Sequence, residues 1–268
     1  MPLWTLKGLL DGTVTTEWPR PGGDHGQAGV LGMPRVVVER CASDCRACAE
    51  VCPTHAIGLD DAGRLATLDY GRCVACQLCA EACPSGALTA SHDWAFAVGD
   101  REDLVWRASG ADAGAARALT ERIERSFRGS LHIRHVDAGS CNGCESELQA
   151  LNNPFYNLHR LGIFFTPSPR FADVLLVTGV VTPAMREPLL ATWEAMPEPR
   201  RVMAMGTCAV SGGTHAGTYA GGAGAGKVVP VDLWLPGCPP NPAAIIHGLL
   251  VLLERLGPRV QRGHHDVA

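Results

Sequence analysis

The 268-residue chain has no large charge excess of either sign, and its formal net charge is -4. Without a basic surplus to neutralise phosphates, nucleic acid is not expected as a main partner, and neither is a polybasic patch for membrane surfaces. Long apolar runs are also missing. The longest, residues 243–253, contains His247 and Gly248 and falls short of the roughly 20 apolar residues that cross a bilayer. The first ten residues carry a single Lys, no extended apolar stretch and no twin arginine. No secretory signal is therefore expected, and the chain reads as cytoplasmic. No Ser-His-Asp or Cys-His constellation can be assembled. What remains, at 46% hydrophobic and 19% charged residues, is the composition of a folded protein rather than a disordered or fibrous one. The length suggests two domains.

Cysteine is the residue in surplus. Twelve are few for a disulfide scaffold of this length and many for a cytosolic enzyme, where clustered thiols bind metal or do redox work. Eight lie between Cys41 and Cys83, none between Cys83 and Cys141, and the last four are Cys141, Cys144, Cys208 and Cys238. The first eight form an internal repeat. Cys45, Cys48 and Cys52-Pro53 recur 31 positions later as Cys76, Cys79 and Cys83-Pro84. Three thiolates at short spacing hold three corners of a cubane, and the fourth, ahead of a proline, reaches to the other cluster, as in two-cluster ferredoxins. The expected ligand sets are Cys41, Cys45, Cys48 with Cys83, and Cys73, Cys76, Cys79 with Cys52. The first run has three residues rather than two between Cys41 and Cys45, which loosens the loop around Cys41. Two zinc sites are the competing reading, but zinc needs only the C-x2-C pairs and leaves the third cysteine and the Cys-Pro of each run unexplained.

The second half alternates strands and helices. Residues 131–136, 173–178, 201–205 and 229–235 read as strands, and Asn241 caps a helix expected from Pro242 to about Leu256. This pattern predicts an α/β fold: a flavodoxin-like parallel sheet domain preceded by a small α+β two-cluster ferredoxin domain. The expected boundaries are an arm at 1–35, the ferredoxin domain at 36–92, and a helical connector at 93–130 with an amphipathic helix over 113–127. The flavodoxin-like iron-sulfur domain follows at 131–258 and a polar tail at 259–268. Ligands in open α/β sheets sit at the carboxyl ends of the strands. Cys141, Cys144, Cys208 and Cys238 all fall in loops of that kind, so a third 4Fe-4S cluster is expected there. The alternatives are zinc or unligated thiols.

Several segments carry a resemblance. Cys141-Asn-Gly-Cys144-Glu-Ser-Glu147, residues 153–162, Thr166-Pro-Ser-Pro169, Thr178-Gly-Val-Val-Thr-Pro183 and Pro236-Gly-Cys-Pro-Pro240 resemble the small subunit of group 4 energy-converting NiFe hydrogenases. The region is also similar to the quinone-proximal iron-sulfur subunit of complex I. That subunit has adjacent cysteines where Asn142 and Gly143 intervene here, so the spacing favours the hydrogenase branch. The N-terminal half, with the lead-in from Leu9 to Pro19, resembles the two-cluster ferredoxin subunit of the same complexes. The resemblance implies an electron-transfer subunit with three 4Fe-4S clusters and no catalytic residue of its own. It implies a hydrogenase-like or complex I-like large subunit, bearing a NiFe or a quinone site, and an external electron donor or acceptor. It admits membrane-embedded subunits that hold the chain at the cytoplasmic face. A zinc-binding assembly scaffold is the reading from another class.

Other signals are set aside. Residues 221–227 imitate the phosphate loop G-x4-G-K, but Val228 replaces the required Ser or Thr and a strand rather than a helix is expected next. His132, His135, His264 and His265 read as ordinary histidines, the first pair on a strand and the second in the tail. Glu145 and Glu147 lie beside the cluster loop, and a proton-relay role for them stays open.

Overall fold

The computed structural model describes residues 3–11, 29–109 and 130–265. The helix expected over 113–127 and most of the Leu9 to Pro19 lead-in lie outside the described residues. At the N-terminus, α1 (Leu3–Asp11) buries none of its residues. No helix among the described residues is long and apolar enough to cross a membrane.

The duplicated sequence builds a duplicated structure. Each cysteine run ends in one helical turn, α2 (Ala47–Glu50) and α3 (Leu78–Glu81), and each turn buries its middle cysteine, Cys48 or Cys79. The short strands β1 (Arg35–Val36) and β4 (Leu88–Thr89) pair antiparallel. β2 (Ile57–Leu59) and β3 (Leu65–Asp69) form a hairpin, and its third strand is β5 (Val105–Arg107). That strand comes from the segment expected to be a helical connector. Leu68 and Trp106 are opposite each other across the pair and both buried, a cross-strand packing contact.

The C-terminal half is a five-stranded, all-parallel sheet. Its strands are β6 (Leu131–Asp137), β7 (Ile163–Phe165), β8 (Val174–Thr178), β9 (Arg201–Met205) and β10 (Leu233–Leu235), in the order β10-β9-β8-β6-β7. This is the flavodoxin-like order expected from the sequence. All five residues of β8 are buried, as befits a central parallel strand covered on both faces. The helices are α4 (Gly143–Ala150), α5 (Pro183–Glu194), α6 (Thr207–Ser211) and α7 (Pro242–Leu252). Every residue of α7 is buried, the signature of a helix packed on all sides. Gly248 permits that packing: a Cβ there would lie 3.0 Å from Met203 of β9 and 3.4 Å from Ala97.

Three boundaries differ from the sequence expectation. The strand expected over 229–235 is limited to β10. Pro230 has no N-H to donate, and the Asp232 carboxylate takes the Val202 N-H at 2.8 Å and Arg201 at 3.1 Å, filling the place of further ladder bonds. The helix expected to reach Leu256 stops at Leu252. Glu254 adopts a left-handed conformation, and the amides of Arg255 and Leu256 both turn back to the Leu250 carbonyl. The segment expected as a polar tail folds as a hairpin of β11 (Val260–Gln261) and β12 (His264–His265). Gly263, at φ +74°, sits where any Cβ would strike the Trp106 backbone, and its N-H donates to the Asp103 carbonyl at 2.6 Å. His265 then stacks on Phe96 with ring centroids 5.2 Å apart.

The two halves join along the sheet edge. Val98 and Trp234 of β10 exchange both backbone hydrogen bonds, at 3.0 and 2.8 Å, and so satisfy an edge that would otherwise be open. Asn241 caps α7 as expected, its Oδ1 accepting from the Ala244 amide at 2.8 Å. Asn241→Ala is expected to cost about 1 kcal/mol. Ile133→Ala, at a fully buried site in β6, should cost roughly 2–5 kcal/mol. The shift in urea midpoint between the two variants checks this ordering.

Candidate metal centres

The twelve cysteines sort into three groups, and none forms a disulfide. Cys41, Cys45, Cys48 and Cys83 line one small pocket, walled otherwise by Ala42, Leu65, Ser85, Ala87 and Leu88. Cys52, Cys73, Cys76 and Cys79 line a second, with Pro34, Ile57 and Leu68 among its walls. These are the two interleaved sets that the sequence repeat predicts. Cys41 joins its set despite the extra residue in its loop. The left-handed Asp44, φ +57°, tightens that loop, and its N-H is held by the Ala62 carbonyl at 2.8 Å. In the second run, Ala75 and Gln77 are left-handed on either side of Cys76, which wraps the chain around the cavity. Gln77 also donates its side-chain amide to the Gly32 carbonyl and anchors the wrap to the arm.

Backbone amides point at the sulfurs. The N-H groups of Leu65, Ala56, Ala75 and Leu88 donate to the Sγ atoms of Cys41, Cys52, Cys73 and Cys83 at 3.3, 3.3, 3.4 and 3.5 Å. Such donors stabilise thiolates and tune a bound centre. Burial acts the other way on the unmetallated thiols. It pushes Cys73 up to about 12 and Cys79 up to about 11, with neighbouring cysteines adding to the rise. At Cys83 burial is outweighed by the donors Leu88, Ser85 and Ala87, and the thiol falls below its ordinary value. Four crowded thiols in an apolar pocket are thus poor isolated anions, and a cationic centre is what would make them stable as thiolates.

The third group gathers at the carboxyl edge of the parallel sheet. Cys141 and Cys144 follow β6, Cys208 follows β9 and Cys238 follows β10. Asn142, left-handed at φ +70°, turns the chain between the first two and opens α4. Gly206, at φ +87°, leaves the space that Cys144 occupies: a Cβ there would come within 2.6 Å of its Sγ. Burial raises the Cys144 thiol, and Glu145, Cys208, Cys238 and Cys141 raise it further. Cys208 is pushed up to about 11 by burial, then by Cys238 and Cys141. The four thiols are therefore electrostatic neighbours. Cys141 and Cys238 are exposed, so this group has one open side.

Among the described residues, no three His, Cys, Asp or Glu side chains converge closely enough to hold one metal ion. Thiols spread around a common cavity, with amides aimed at the sulfurs, fit the cysteine ligand set of an iron-sulfur cluster. The His264 and His265 rings pack against aromatic residues: His265 on Phe96, and His264 with its centroid 6.3 Å from that of Trp106. His132 stacks on Phe164, which stacks in turn on His159. The glycine-rich loop at 221–227 leads into a short turn, Ala225–Lys227, followed by neither helix nor strand, and it lines an open cleft with Arg186.

Two features escaped the sequence reading. Beside Cys144, the Glu145 carboxylate accepts from Ser140 Oγ at 2.7 Å and from Thr178 Oγ1. Because the single hydroxyl proton of Thr178 is spent on Glu145, His135 Nε2, 2.9 Å away, is the donor to Thr178. Burial holds the His135 ring below its ordinary pKa, against the opposing pull of Glu145. The second feature is Thr207, buried beside Cys208, whose hydroxyl donates to the Cys73 carbonyl at 2.8 Å. Neither contact has a local sequence signal, since the partners are 33 and 134 positions apart.

A ferredoxin-like double cysteine site docked on a parallel sheet with a third cysteine group at its carboxyl edge defines an iron-sulfur protein of the oxidoreductase class. Residues 141–252 match the family model of the NADH ubiquinone oxidoreductase 20 kDa subunit, and residues 40–87 match that of the 4Fe-4S dicluster domain. The chain is 41% identical over 129 residues to the probable membrane-bound hydrogenase subunit mbhJ of Pyrococcus furiosus, covering 48% of this chain and 77% of that protein. The chain belongs to this hydrogenase and complex I 20 kDa subunit family, with a dicluster ferredoxin domain ahead of it. It is 42% identical over 148 residues to formate hydrogenlyase subunit 7 of Escherichia coli, covering 55% of this chain and 56% of that subunit, so the chain spans about half of this relative's length. A solved structure of the membrane-bound sulfane sulfur reductase, an archaeal respiratory membrane complex, includes a chain 34% identical to this one. It matches with a TM-score of 0.43 and covers 51% of this chain and 77% of that one.

Glu145→Ala removes the acceptor of two hydroxyls, one of them on the fully buried Thr178. It is expected to destabilise the chain by roughly 1–3 kcal/mol, with Glu145→Gln costing less because one acceptor oxygen remains. Urea unfolding of the anaerobically purified protein measures both. Equal loss in the two variants would contradict the network.

Proposed function

We propose that the chain is the electron-transfer subunit of a group 4 NiFe hydrogenase-like oxidoreductase complex, passing electrons through three 4Fe-4S clusters to or from a catalytic large subunit. The sorting of the twelve cysteines carries this reading. Two sets of four line separate apolar cavities in the interleaved pattern of a two-cluster ferredoxin, and four more meet at the sheet edge where α/β proteins bind ligands. A bound 4Fe-4S cluster supplies reversible one-electron chemistry at each set.

The residues of the chain do the rest. Cysteine thiolates would hold the iron, and apolar walls such as Leu65, Leu68 and Leu88 would keep water from it. The amides of Leu65, Ala56, Ala75 and Leu88 tune the potential through their bonds to sulfur. The order of the relay follows from contacts. Cys79 feels the charge of Cys48 across the two ferredoxin sites, and the Cys73 loop touches Thr207 beside Cys208. The set of Cys41, Cys45, Cys48 and Cys83 is therefore the outer end, facing an external donor or acceptor. The third set, with Cys141 and Cys238 exposed, faces the large subunit.

The names of the two relatives, both hydrogenase-type subunits, and the two-residue gap between Cys141 and Cys144 support a NiFe partner. The family model's description supports a second reading, a complex I-like subunit whose large partner forms a quinone site. Attachment to a membrane would come through partner subunits.

Three clusters require about 12 irons per chain, and Cys238→Ala should lower the count to about 8 while the signals of the ferredoxin pair persist. Gly206→Ala should mimic that loss by displacing Cys144. A colourless, zinc-containing protein would overturn the electron-transfer role. Hydrogen-dependent dye reduction by the co-purified complex separates the two partners: a fully clustered but inactive complex would favour the quinone reading.

A further inference from the structure

We infer that the buried hydroxyl of Thr207 is the positioning residue that couples the second ferredoxin site to the third cysteine group. The inference rests on the three-cluster reading above. Thr207 is 1% exposed. Its Oγ1 donates to the carbonyl of Cys73 at 2.8 Å and accepts the N-H of Gly237 at 3.2 Å. Its own N-H donates to the Gly237 carbonyl at 2.8 Å. Cys73 lines the second ferredoxin cavity, Gly237 precedes Cys238, and Thr207 precedes Cys208. One side chain thus ties a loop of one site to two of the three loops of the next.

The chemistry of the hydroxyl fits this task. It offers one donor and spare lone pairs, so it can serve a carbonyl on one side and an amide on the other. A methyl group would leave both buried groups unpaired. Electronic coupling falls off more slowly along covalent and hydrogen bonds than across a gap. The route from the Cys73 carbonyl through the Thr207 hydroxyl to the Cys208 backbone is continuous in that sense. Cys52, Cys73, Cys76 and Cys79 would hold one cluster and Cys141, Cys144, Cys208 and Cys238 the other, and with both in place the first would lose one electron and the second gain it. No bond forms or breaks and no proton moves. An added low-potential one-electron reductant supplies the charge.

The test uses the full chain matured anaerobically, as the parent and as Thr207→Val and Thr207→Ser. Thr207→Val replaces the hydroxyl by a methyl of similar size, and Thr207→Ser keeps the hydroxyl. Iron content and low-temperature paramagnetic resonance count the clusters, redox titration gives each midpoint potential, and rapid reduction follows the arrival of charge at the third site. Thr207→Val should keep its iron and its outer-site potential yet transfer several-fold more slowly, and Thr207→Ser should return the rate to near the parent's. A fully loaded Thr207→Val that transfers at the parent rate overturns the inference, as does a Thr207→Ser that is equally slow. If Thr207→Val does not mature, Thr207→Ala carries the same comparison. In the parent, the segment holding Gly237 must exchange its amide hydrogens slowly, and fast exchange overturns the contact. A parent without a third signal overturns the three-cluster reading itself, and this inference with it.

Discussion

The backbone pairing of Val98 with Trp234 is the constraint on which the arrangement of sites depends. A parallel sheet ends in an edge strand with unpaired amides and carbonyls, and β10 is such an edge. The chain leaving the ferredoxin half covers it with one two-bond bridge. Ala97 and Val98 are fully buried there, and Ala97 lies against the position of Gly248 in α7. A helix apolar on every side is stable only when every side is covered. The sheet and α4 cover part of α7, and the returning segment with Trp94 and Ala97 supplies further cover. The seam therefore closes a core as well as an edge, and it brings the Cys73 loop onto the loops that carry Cys208 and Cys238.

Around this seam, sulfur is held by two different devices. In the ferredoxin half the loops are wrapped by left-handed residues, Asp44, Ala75 and Gln77, so that short spacing in sequence becomes spread in space. The last cysteine of each run belongs to the other run's cavity, so neither half of the repeat is complete alone. In the sheet half the cysteines come from distant loops, and glycine makes the room. Gly206 yields to Cys144, and at Gly237, φ +141°, a Cβ would come within 2.7 Å of the Pro240 backbone, so the bare backbone is what fits. In both halves, burial raises the cost of a bare thiolate, so binding a cationic centre would contribute to folding itself.

Much of this was legible in the sequence because it is local or repeated. The duplicated cysteine runs gave the two groupings of cysteines in the ferredoxin half, with the last cysteine of each run lining the other run's pocket. The alternation of apolar runs with helical stretches gave the parallel sheet, and the strand-end cysteines gave the third group. Contacts without a local signature were not legible. Residues 105–107 look like linker by composition, and only pairing with Thr67, Leu68 and Asp69 makes them a strand. Residues 260–265 are polar enough to pass for a tail, yet Gly263 docks them on Trp106 across more than half of the chain. Pro230 and Asp232 shortened a strand that hydrophobicity alone would extend. The Thr207 and Thr178 contacts belong to the same class, since each joins residues that meet only in the folded chain.

The fusion changes the physics of the second-to-third contact. When a ferredoxin unit and a 20 kDa-type unit are separate chains, their docking is bimolecular and must repay the lost freedom of two bodies. Joined in one polypeptide, the same surfaces meet at an effective concentration set by the linking segment. The seam shares one buried apolar cluster, in which Leu68, Phe96 and Trp106 of the ferredoxin half join Val136, Leu175 and Val177 of the sheet, and adds to it a backbone bridge at Val98, a hydroxyl at Thr207 and a hairpin returning to Trp106. The shared core and these polar contacts together hold the cysteine groups of the two halves in fixed relation. In this molecule the covalent connection carries the cost of association, which leaves individual hydrogen bonds free to set geometry.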